Sequence, residues 1–202
     1  MVDFREIRTI LQEKGYSVSC FENKEMASEY LDKSIDNKSV GIGGSMSIEQ
    51  MFLYEKLVLH NEVYWHHRIP NGETSASIRD KAKNTDIYLS SVNAITQNGE
   101  IVNIDNVCNR VASIMYGHEK VYLIIGKNKI EDNFENAVWR ARNIASPKNA
   151  QRLKLNTPCA IKADRCYDCK SKDRICRGLS VLWVCPKTAN IEIVLINENL
   201  GY

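Results

Sequence analysis

The chain has 202 residues, of which 27 are basic and 25 acidic, so its formal charge is only +2. Both signs are mixed along the sequence, and no apolar run approaches the roughly 20 residues that span a bilayer, which argues against nucleic acid and membrane as partners. This length predicts a single domain over residues 1–202. No N-terminal stretch is typical of a signal peptide, so we expect a cytoplasmic protein with reduced thiols.

Predicted helices and strands alternate along most of the chain. Amphipathic helices are predicted at residues 3–15, 24–36, 47–57, 75–83, 107–116 and from about 134. Apolar strands are predicted at residues 16–21, 39–44, 62–67, 86–91, 120–126 and 191–197. Because parallel strands joined by helices are buried on both faces, the alternation predicts a three-layer α/β fold around a mainly parallel sheet.

Two of these helices begin with residues that favour a helix start. Asn23 is a typical N-cap for the second helix, in which Met26 and Leu31 are expected to face inward. Ser47 and Gln50 match the spacing of a capping box, so they predict the start of the third helix.

The stretch GIGGSMS, residues 41–47, leads from a predicted strand into a predicted helix. Backbone N–H groups at such a turn can hold a phosphate or carboxylate, with the Ser45 and Ser47 hydroxyls as added donors. The spacing matches neither a P-loop nor a dinucleotide-binding fingerprint. A tight turn that needs glycine only for its backbone conformation is an equally good interpretation. Glu49, in the first turn of the helix, complements the helix dipole.

The stretch NAITQNGEIVNID, residues 93–105, alternates in polarity on both sides of Asn98 and Gly99. An Asn-Gly pair between alternating segments is a strong signal for a β-hairpin. The sequence therefore predicts a hairpin within the domain, and the turn itself requires no ligand.

Four of the seven cysteines, Cys159, Cys166, Cys169 and Cys176, fall within residues 157–178. Their spacing allows three interpretations, namely two disulfides, a structural metal or a redox cluster. A reducing compartment disfavours disulfides. Zinc and a [4Fe–4S] cluster both accept four thiolates, so the number of ligands does not distinguish them.

The separation of the four cysteines favours the cluster over zinc. Structural zinc sites usually contain two close pairs, whereas here only Cys166 and Cys169 form such a pair. A looser arrangement suits a larger cofactor. The same segment carries six Lys or Arg residues against three Asp, which would offset the negative charge of a four-thiolate cluster.

The other cysteines and the histidines give weaker signals. Cys20 and Cys108 are expected to be small buried residues, and Cys185, which precedes a proline, is a reserve ligand. His66 and His67 follow a predicted strand as neighbours, so at most one of them is expected to face a pocket. A histidine there could act as a general acid or base, although a structural role is more common.

Four motifs in order, VGIGGSMS, SSVNAITQNGEIVNID, CNRVASIMYG and VYLIIGKNKI, resemble the LUD, or lactate-utilisation, domain family over nearly the whole chain. The resemblance implies a fold like that of the ribose-5-phosphate isomerase and CoA-transferase superfamily, with a glycine-rich turn lining the ligand pocket. The implied contributors to that pocket are Gly41, Gly43, Gly44, Ser45, Asn93, Ala94, Thr96, Gly99, Asn109, Arg110 and Lys129. Arg110 would pair with a carboxylate or phosphate through two hydrogen bonds.

The cysteine segment and the final NENLGY resemble the tails of cysteine-bearing LUD proteins of anaerobic bacteria. This resemblance implies an iron–sulfur cofactor. Trp183 and the Cys185-Pro186 pair lie outside the family pattern.

Two functional hypotheses follow. In the first, a [4Fe–4S] cluster on the C-terminal segment exchanges electrons with a redox protein or with a small, lactate-like acid bound at the glycine turn. In the second, the protein is a non-redox enzyme or binder of a phosphorylated or CoA-linked metabolite, and zinc holds the tail. Both require a small anionic ligand, and both leave a homodimer open. A zinc-stabilised RNA-binding module is disfavoured by the balanced charge.

Overall fold

A computed structural model describes residues 3–202. The helices are α1 (Arg5–Glu13), α2 (Lys24–Ser34), α3 (Met46–Gln50), α4 (Leu53–Leu57), α5 (Ser75–Ala82), α6 (Asn109–Met115), α7 (Phe134–Arg140), α8 (Ser146–Arg152) and α9 (Pro158–Lys162). The strands are β1 (Ser17–Phe21), β2 (Ser39–Ile42), β3 (Glu62–Trp65), β4 (Ile87–Ser90), β5 (Ala94–Thr96), β6 (Ile101–Asp105), β7 (Lys120–Gly126), β8 (Ile130–Glu131), β9 (Gly178–Leu182) and β10 (Ile191–Ile196). None of the helices in this range is long and apolar enough to cross a membrane.

A six-stranded sheet, in the order β1-β10-β7-β4-β2-β3, forms the centre of the molecule. Every pairing in it is parallel, and β10 lies beside β7 with Ile191 opposite Val121. The runs KVYLIIG and IEIVLI are almost entirely buried because packed layers cover both faces of the sheet. The predicted α/β fold with a mainly parallel sheet is confirmed.

Alternate side chains of this sheet enter two different cores. On one face, Ile124 of β7 packs with Leu31 of α2 and with residues of α3 and α4. On the other face, Leu123 packs with Leu11 of α1 and with Ile101 of β6. The second face is therefore covered jointly by helices and by a smaller sheet.

The smaller sheet has the strand order β8-β5-β6-β9. Strands β5 and β6 pair antiparallel, with Ala94 opposite Val102, so the predicted hairpin is confirmed. Gly99 adopts a φ of +83° in its turn, which a residue with a side chain rarely adopts. Strand β9 was not predicted, because it is a short edge strand whose Leu179 is exposed rather than buried.

The helix predicted over residues 47–57 is in fact two short helices. Phe52 has a φ of +51° and separates α3 from α4. The N-cap of α3 is Ser45, whose hydroxyl accepts a hydrogen bond from the backbone N–H of Ile48 at 3.3 Å. The predicted capping box of Ser47 and Gln50 is therefore wrong, because Ser47 already lies inside the helix.

Two further predictions about burial were wrong. Asn23 does cap α2, but the helix buries Ala27 and Leu31 rather than Met26, so its inward face is rotated by one residue. Cys20 is exposed, because β1 is an edge strand and this side chain lies on its uncovered part.

Residues 134–152 form a continuous helical run in which the π-helical segment Ala141–Ala145 joins α7 to α8. Such wide turns interrupt α-helices mostly near functional sites. A small core of Ala150, Ala160 and Ile175 attaches the cysteine segment to α8. The cysteines are thus held against the π-helical part of the run.

Candidate functional site

A pocket of about 720 Å³ lies at the carboxyl ends of neighbouring parallel strands. Gly44 and Ser45 follow β2, His66 and His67 follow β3, and Ser91 follows β4. Ligands of α/β proteins usually bind at this edge of the sheet, where loops from adjacent strands converge. The pocket is therefore the main candidate for ligand binding.

The structure brings several predicted site residues together on the wall of this pocket. These are Gly44, Ser45, Asn93, Asn109, Arg110 and Lys129. Gly43 lies just behind the wall, where an added Cβ would stand 3.0 Å from the Tyr88 hydroxyl oxygen. Ser47 is fully buried behind it and contacts Lys129.

The other predicted contributors lie elsewhere. Thr96 is buried in the hairpin, where its hydroxyl contacts the Glu100 carboxylate and accepts from the Glu100 N–H. Gly41 packs against the Ala82 carbonyl oxygen so closely that no Cβ would fit. Ala94 and Gly99 belong to the hairpin and are not part of the pocket wall. In these positions Gly41 and Ala94 serve the packing of the fold, and Gly99 serves the hairpin turn.

Arg110 is already bound by oxygen atoms of the protein. Its Nη1 donates to the carbonyl of Ser91 at 3.0 Å and to Oδ1 of Asn103 at 2.6 Å. Its Nη2 donates to the carbonyl of Ile104 at 2.9 Å, and its Nε lies 3.4 Å from a carboxylate oxygen of Asp105. The guanidinium therefore holds the loop after β4 against β6.

Both histidines face the pocket, so the prediction that at most one would do so is wrong. Neighbouring side chains point to opposite faces only within a strand, and β3 ends at Trp65, before His66 and His67. Burial, followed by the nearby charges of His67 and Arg79, lowers the pKa of His66 to about 4. His66 is consequently neutral at physiological pH.

Glu49 orients the second histidine. Its carboxylate lies 3.4 Å from Nδ1 of His67 and accepts a 2.6 Å hydrogen bond from Arg68. Burial alone would raise the pKa of Glu49, but the hydrogen bonds from Arg68 and His67 outweigh it and hold the pKa below its ordinary value. A carboxylate paired with a histidine in this way can fix the tautomer of a general base.

Lys129 contributes a buried amine to the wall. Its Nζ lies 2.7 Å from the hydroxyl oxygen of Ser91 and 3.0 Å from that of Ser47. Burial first, and then the charges of Arg140 and Arg110, hold the pKa of Lys129 well below its ordinary value.

The pocket carries more positive than negative side chains. Its cations are Arg68, Arg79, Arg110, Lys129 and Arg152, and its carboxylates are Glu49 and Asp105. Both carboxylates form ion pairs within the wall, Glu49 with Arg68 and Asp105 with Arg110. Among the residues that the structure describes, the other three cations donate to serine hydroxyls or, for Arg152, to the amide of Asn149. The pocket is therefore suited to an anion.

Arg79 and Arg152 were not identified from the sequence. Each arginine lies on a helix whose polar residues resemble an ordinary solvated surface. The two residues are also far apart in the sequence. Only the packing of α5 and α8 at the same strand edge brings them to one pocket. No local signal in the sequence indicates this.

The four clustered cysteines line a second, enclosed cavity beneath the helical run. Cys159, Cys166, Cys169 and Cys176 share this cavity with Arg174 and other residues. No disulfide joins any of the cysteines in residues 3–202. In the same range, no three His, Cys, Asp or Glu side chains converge closely enough to hold a metal ion.

N–H groups point at the sulfur atoms of this cavity. Arg174 donates to the sulfur of Cys176 at 3.3 Å, and the backbone N–H of Asp168 donates to that of Cys166 at 3.3 Å. Arg142 also lies 3.8 Å from the Cys166 sulfur. Donors of this kind stabilise thiolates, which are the form that binds metals.

The two cavities share part of their walls. Ser146 and Ile175 line both the pocket and the cysteine cavity. Ser146 follows the π-helical segment directly, and its hydroxyl donates to the Ala141 carbonyl at 2.8 Å. Only a thin layer of protein therefore separates a pocket ligand from the cysteines.

The other three cysteines lie outside this cavity. The Cys185 thiol contacts the Ala189 carbonyl oxygen at 3.6 Å and packs against the main core. An added Cβ at Gly178 would lie 2.8 Å from the Cys108 sulfur. Cys108, half-buried, thus packs at the start of β9, and Cys20 is exposed on β1.

Comparisons with known proteins bear on the fold and the family. The LUD domain model matches residues 4–196. A DUF162 family protein from Deinococcus radiodurans aligns with a TM-score of 0.52 at 9% identity, covering 97% of this chain and 99% of that one. The eIF2B beta protein from Chaetomium thermophilum aligns with a TM-score of 0.33 at 13% identity, covering 65% of this chain and 43% of that one. A comparison with curated protein sequences gave no match.

Proposed function

Because this chain belongs to the LUD domain family, which is associated with lactate utilisation, we propose that it is an iron–sulfur protein of small organic acid metabolism. In this proposal the pocket binds a small, lactate-like anion. Cys159, Cys166, Cys169 and Cys176 hold a [4Fe–4S] cluster that exchanges electrons with a partner.

The shared wall is the observation that carries this proposal. Ser146 and Ile175 line both the anion pocket and the cysteine cavity, so a ligand and a cluster would contact a common wall. A structural metal needs no such contact with a ligand site. A redox centre does, because its function depends on close approach to the molecule or partner with which it exchanges electrons.

The chemistry of the donor groups fits a cluster. Four thiols line one cavity, and N–H donors already approach the sulfurs of Cys166 and Cys176. Hydrogen bonds to sulfur and nearby positive charge are the features that tune cluster potentials. When bound, such a cluster takes up and releases one electron at a time. The cavity measures about 20 Å³, so binding requires outward movement of residues 163–177, which form no helix or strand.

Cys166 also gives the cavity a route to the surface. It lines an open recess together with Arg142, Arg165, Tyr167 and Asp168. A redox protein partner would approach the cluster from this side, whereas the organic acid would bind on the opposite side of the shared wall.

A second candidate function deserves the same test, because the size of the pocket favours it. A volume of about 720 Å³ exceeds what a three-carbon acid needs, and no carboxylate in the described part of the chain pairs with Arg79, Lys129 or Arg152. These features suit a phosphorylated or CoA-linked metabolite. In that case the protein would be a non-redox enzyme or binder, with zinc at the cysteines.

Anaerobic purification followed by metal analysis separates the two candidates. The iron–sulfur proposal predicts a brown protein with broad absorption near roughly 400 nm and about four iron and four sulfide per chain. Colourless protein with about one zinc per chain would reject that proposal in favour of the second candidate.

A further inference from the structure

Lys129 is a buried amine that pairs with no carboxylate of residues 3–202. Its side chain is 3% exposed and lines the pocket directly after β7. Within residues 3–202, the charged groups that act on it are Arg110 of α6 and Arg140 of α7, and both are cations. An ammonium group without a counter-ion is costly to bury, so this environment favours the neutral amine.

The contacts of Lys129 match those of a neutral amine. A neutral amine has two N–H bonds and a lone pair, and the hydroxyl oxygens of Ser91 and Ser47 lie 2.7 Å and 3.0 Å from Nζ. These two acceptors account for both N–H bonds. The Ser47 hydroxyl has its own acceptors in the Leu200 carbonyl and the Ser91 hydroxyl. When both N–H bonds point at these oxygens, the lone pair of Lys129 is available to an electrophile in the pocket.

We propose that Lys129 is a nucleophile that forms an imine with a 2-oxo acid bound in the pocket. The inference rests on the proposed function, because it takes the pocket to be the organic-acid site and names a further reaction there. A 2-oxo acid is the oxidation product of a 2-hydroxy acid, so it belongs to the same ligand class.

The chemistry of the step is balanced within the site. The Nζ lone pair attacks the ketone carbon and forms a C–N bond, and the ketone oxygen then leaves as water with the two protons of the amine. The hydroxyls of Ser47 and Ser91, which contact Nζ, can relay these protons. The substrate carboxylate supplies negative charge near Arg79 and Arg152, which have no carboxylate partner in the wall.

Reductive trapping tests this proposal on the intact protein. Pyruvate and sodium cyanoborohydride are added at about pH 7.5, and the labelled lysines are located by peptide mass spectrometry. Lys129 should carry at least about tenfold more label than any other lysine, because each unit by which a lysine pKa is lowered gives about ten times more neutral amine. Lactate, which has no ketone, should protect Lys129 from labelling.

Lys127 is the internal control. It lies two positions away, its Nζ is 3.4 Å from Oδ1 of Asn197, and it is not part of the pocket wall. Lys127→Arg should leave labelling unchanged, and Lys129→Arg should abolish the dominant label. Equal labelling of all lysines, or none at Lys129, would overturn the proposal.

If pyruvate and lactate then still shift the NMR signals of His66, the pocket survives as an organic-acid site; if they do not, the proposed function fails as well.

Discussion

Arg110, which the family resemblance implies as a ligand contact, also holds the pocket wall together. Its guanidinium donates to carbonyl and amide oxygens of Ser91, Asn103 and Ile104. These bonds connect the loop after β4 to β6 across the pocket wall. Arg110 therefore shapes the pocket wall, and its direct contact with an anion stays a prediction.

Replacing Arg110 with lysine should damage the pocket without removing the positive charge. A lysine cannot reproduce donors that point at several oxygens in fixed directions, so we expect a loss of about 2 kcal/mol in the free energy of unfolding. Sulfate binding should weaken at the same time. Urea unfolding and calorimetric titration measure the two effects, and Arg8→Lys, on the exposed side of α1, is a control outside the pocket. Unchanged stability and binding would contradict the positioning role.

His66 reports the charge of the pocket through its pKa. Burial and the neighbouring cations depress this pKa to about 4, so a bound anion should raise it. Anion binding is then coupled to protonation of His66. The affinity for the anion should increase as the pH falls below the His66 pKa of the complex, and it should level off below about 4, the pKa of His66 without ligand. Sulfate is a suitable probe, because its charge is constant over this range.

NMR titration of the histidine ring signals, with and without sulfate, measures this shift. His118 is the control, because burial also lowers its pKa but its ring stacks on Tyr88 outside the pocket. The expected result is an upward shift of the pKa at the pocket histidines His66 and His67, with none at His118. Equal shifts at the pocket histidines and His118, or none, would argue against an anion site here.

At the scale of elements, the helical run from α7 to α8 connects the two cavities. Its π-helical segment places Arg142 against the sulfur of Cys166, while Ser146 lines both cavities. The cysteine segment has little apolar content beyond Ile175 and depends on this run for support. We therefore expect the order of residues 163–177 to depend on the bound cofactor.

Cys166→Ser should reduce cluster occupancy and increase amide hydrogen exchange across residues 163–177. Cys185→Ser should leave both unchanged, because Cys185 packs against the main core and lies outside the cavity. Iron analysis and exchange mass spectrometry measure the two properties. If Cys185 proved essential and Cys159 dispensable, the assignment of ligands would be wrong even with the correct cofactor.

The sequence predicted those strands and turns that are encoded by a short run of neighbouring residues. Strands β7 and β10 are long apolar runs that are buried on both faces, and Asn98-Gly99 marks the hairpin turn. The break between α3 and α4 at Phe52 was missed, because an exposed phenylalanine in a left-handed conformation has no sequence signature. The pairing of Arg79 with Arg152 at the pocket was missed because it arises only from the packing of distant helices.

At the scale of the whole molecule, one core joins the two sheets. It contains Leu123 and Ile193 from the large sheet together with Ile95, Ile101 and Leu182 from the small one. A shared core of this kind couples the unfolding of the two sheets. We therefore expect the two sheets to unfold together.

Calorimetry should accordingly give one unfolding transition. Ile101→Ala, at a fully buried position between the sheets, should lower the stability of that transition by about 2–5 kcal/mol without splitting it. The exposed Leu179→Ala is the control in the small sheet and should change stability little. Two separate transitions would contradict the single-domain prediction.

A redox titration of the anaerobically purified protein, with and without a pocket anion, tests the central claim most directly. Ser146 and Ile175 line both the pocket and the cysteine cavity, so the proposal puts a pocket anion close to the cluster. Its negative charge should disfavour reduction and lower the midpoint potential, and Arg110→Lys should diminish that shift. A cluster whose potential does not respond to lactate or sulfate, or a protein without a redox-active cluster, would contradict the account.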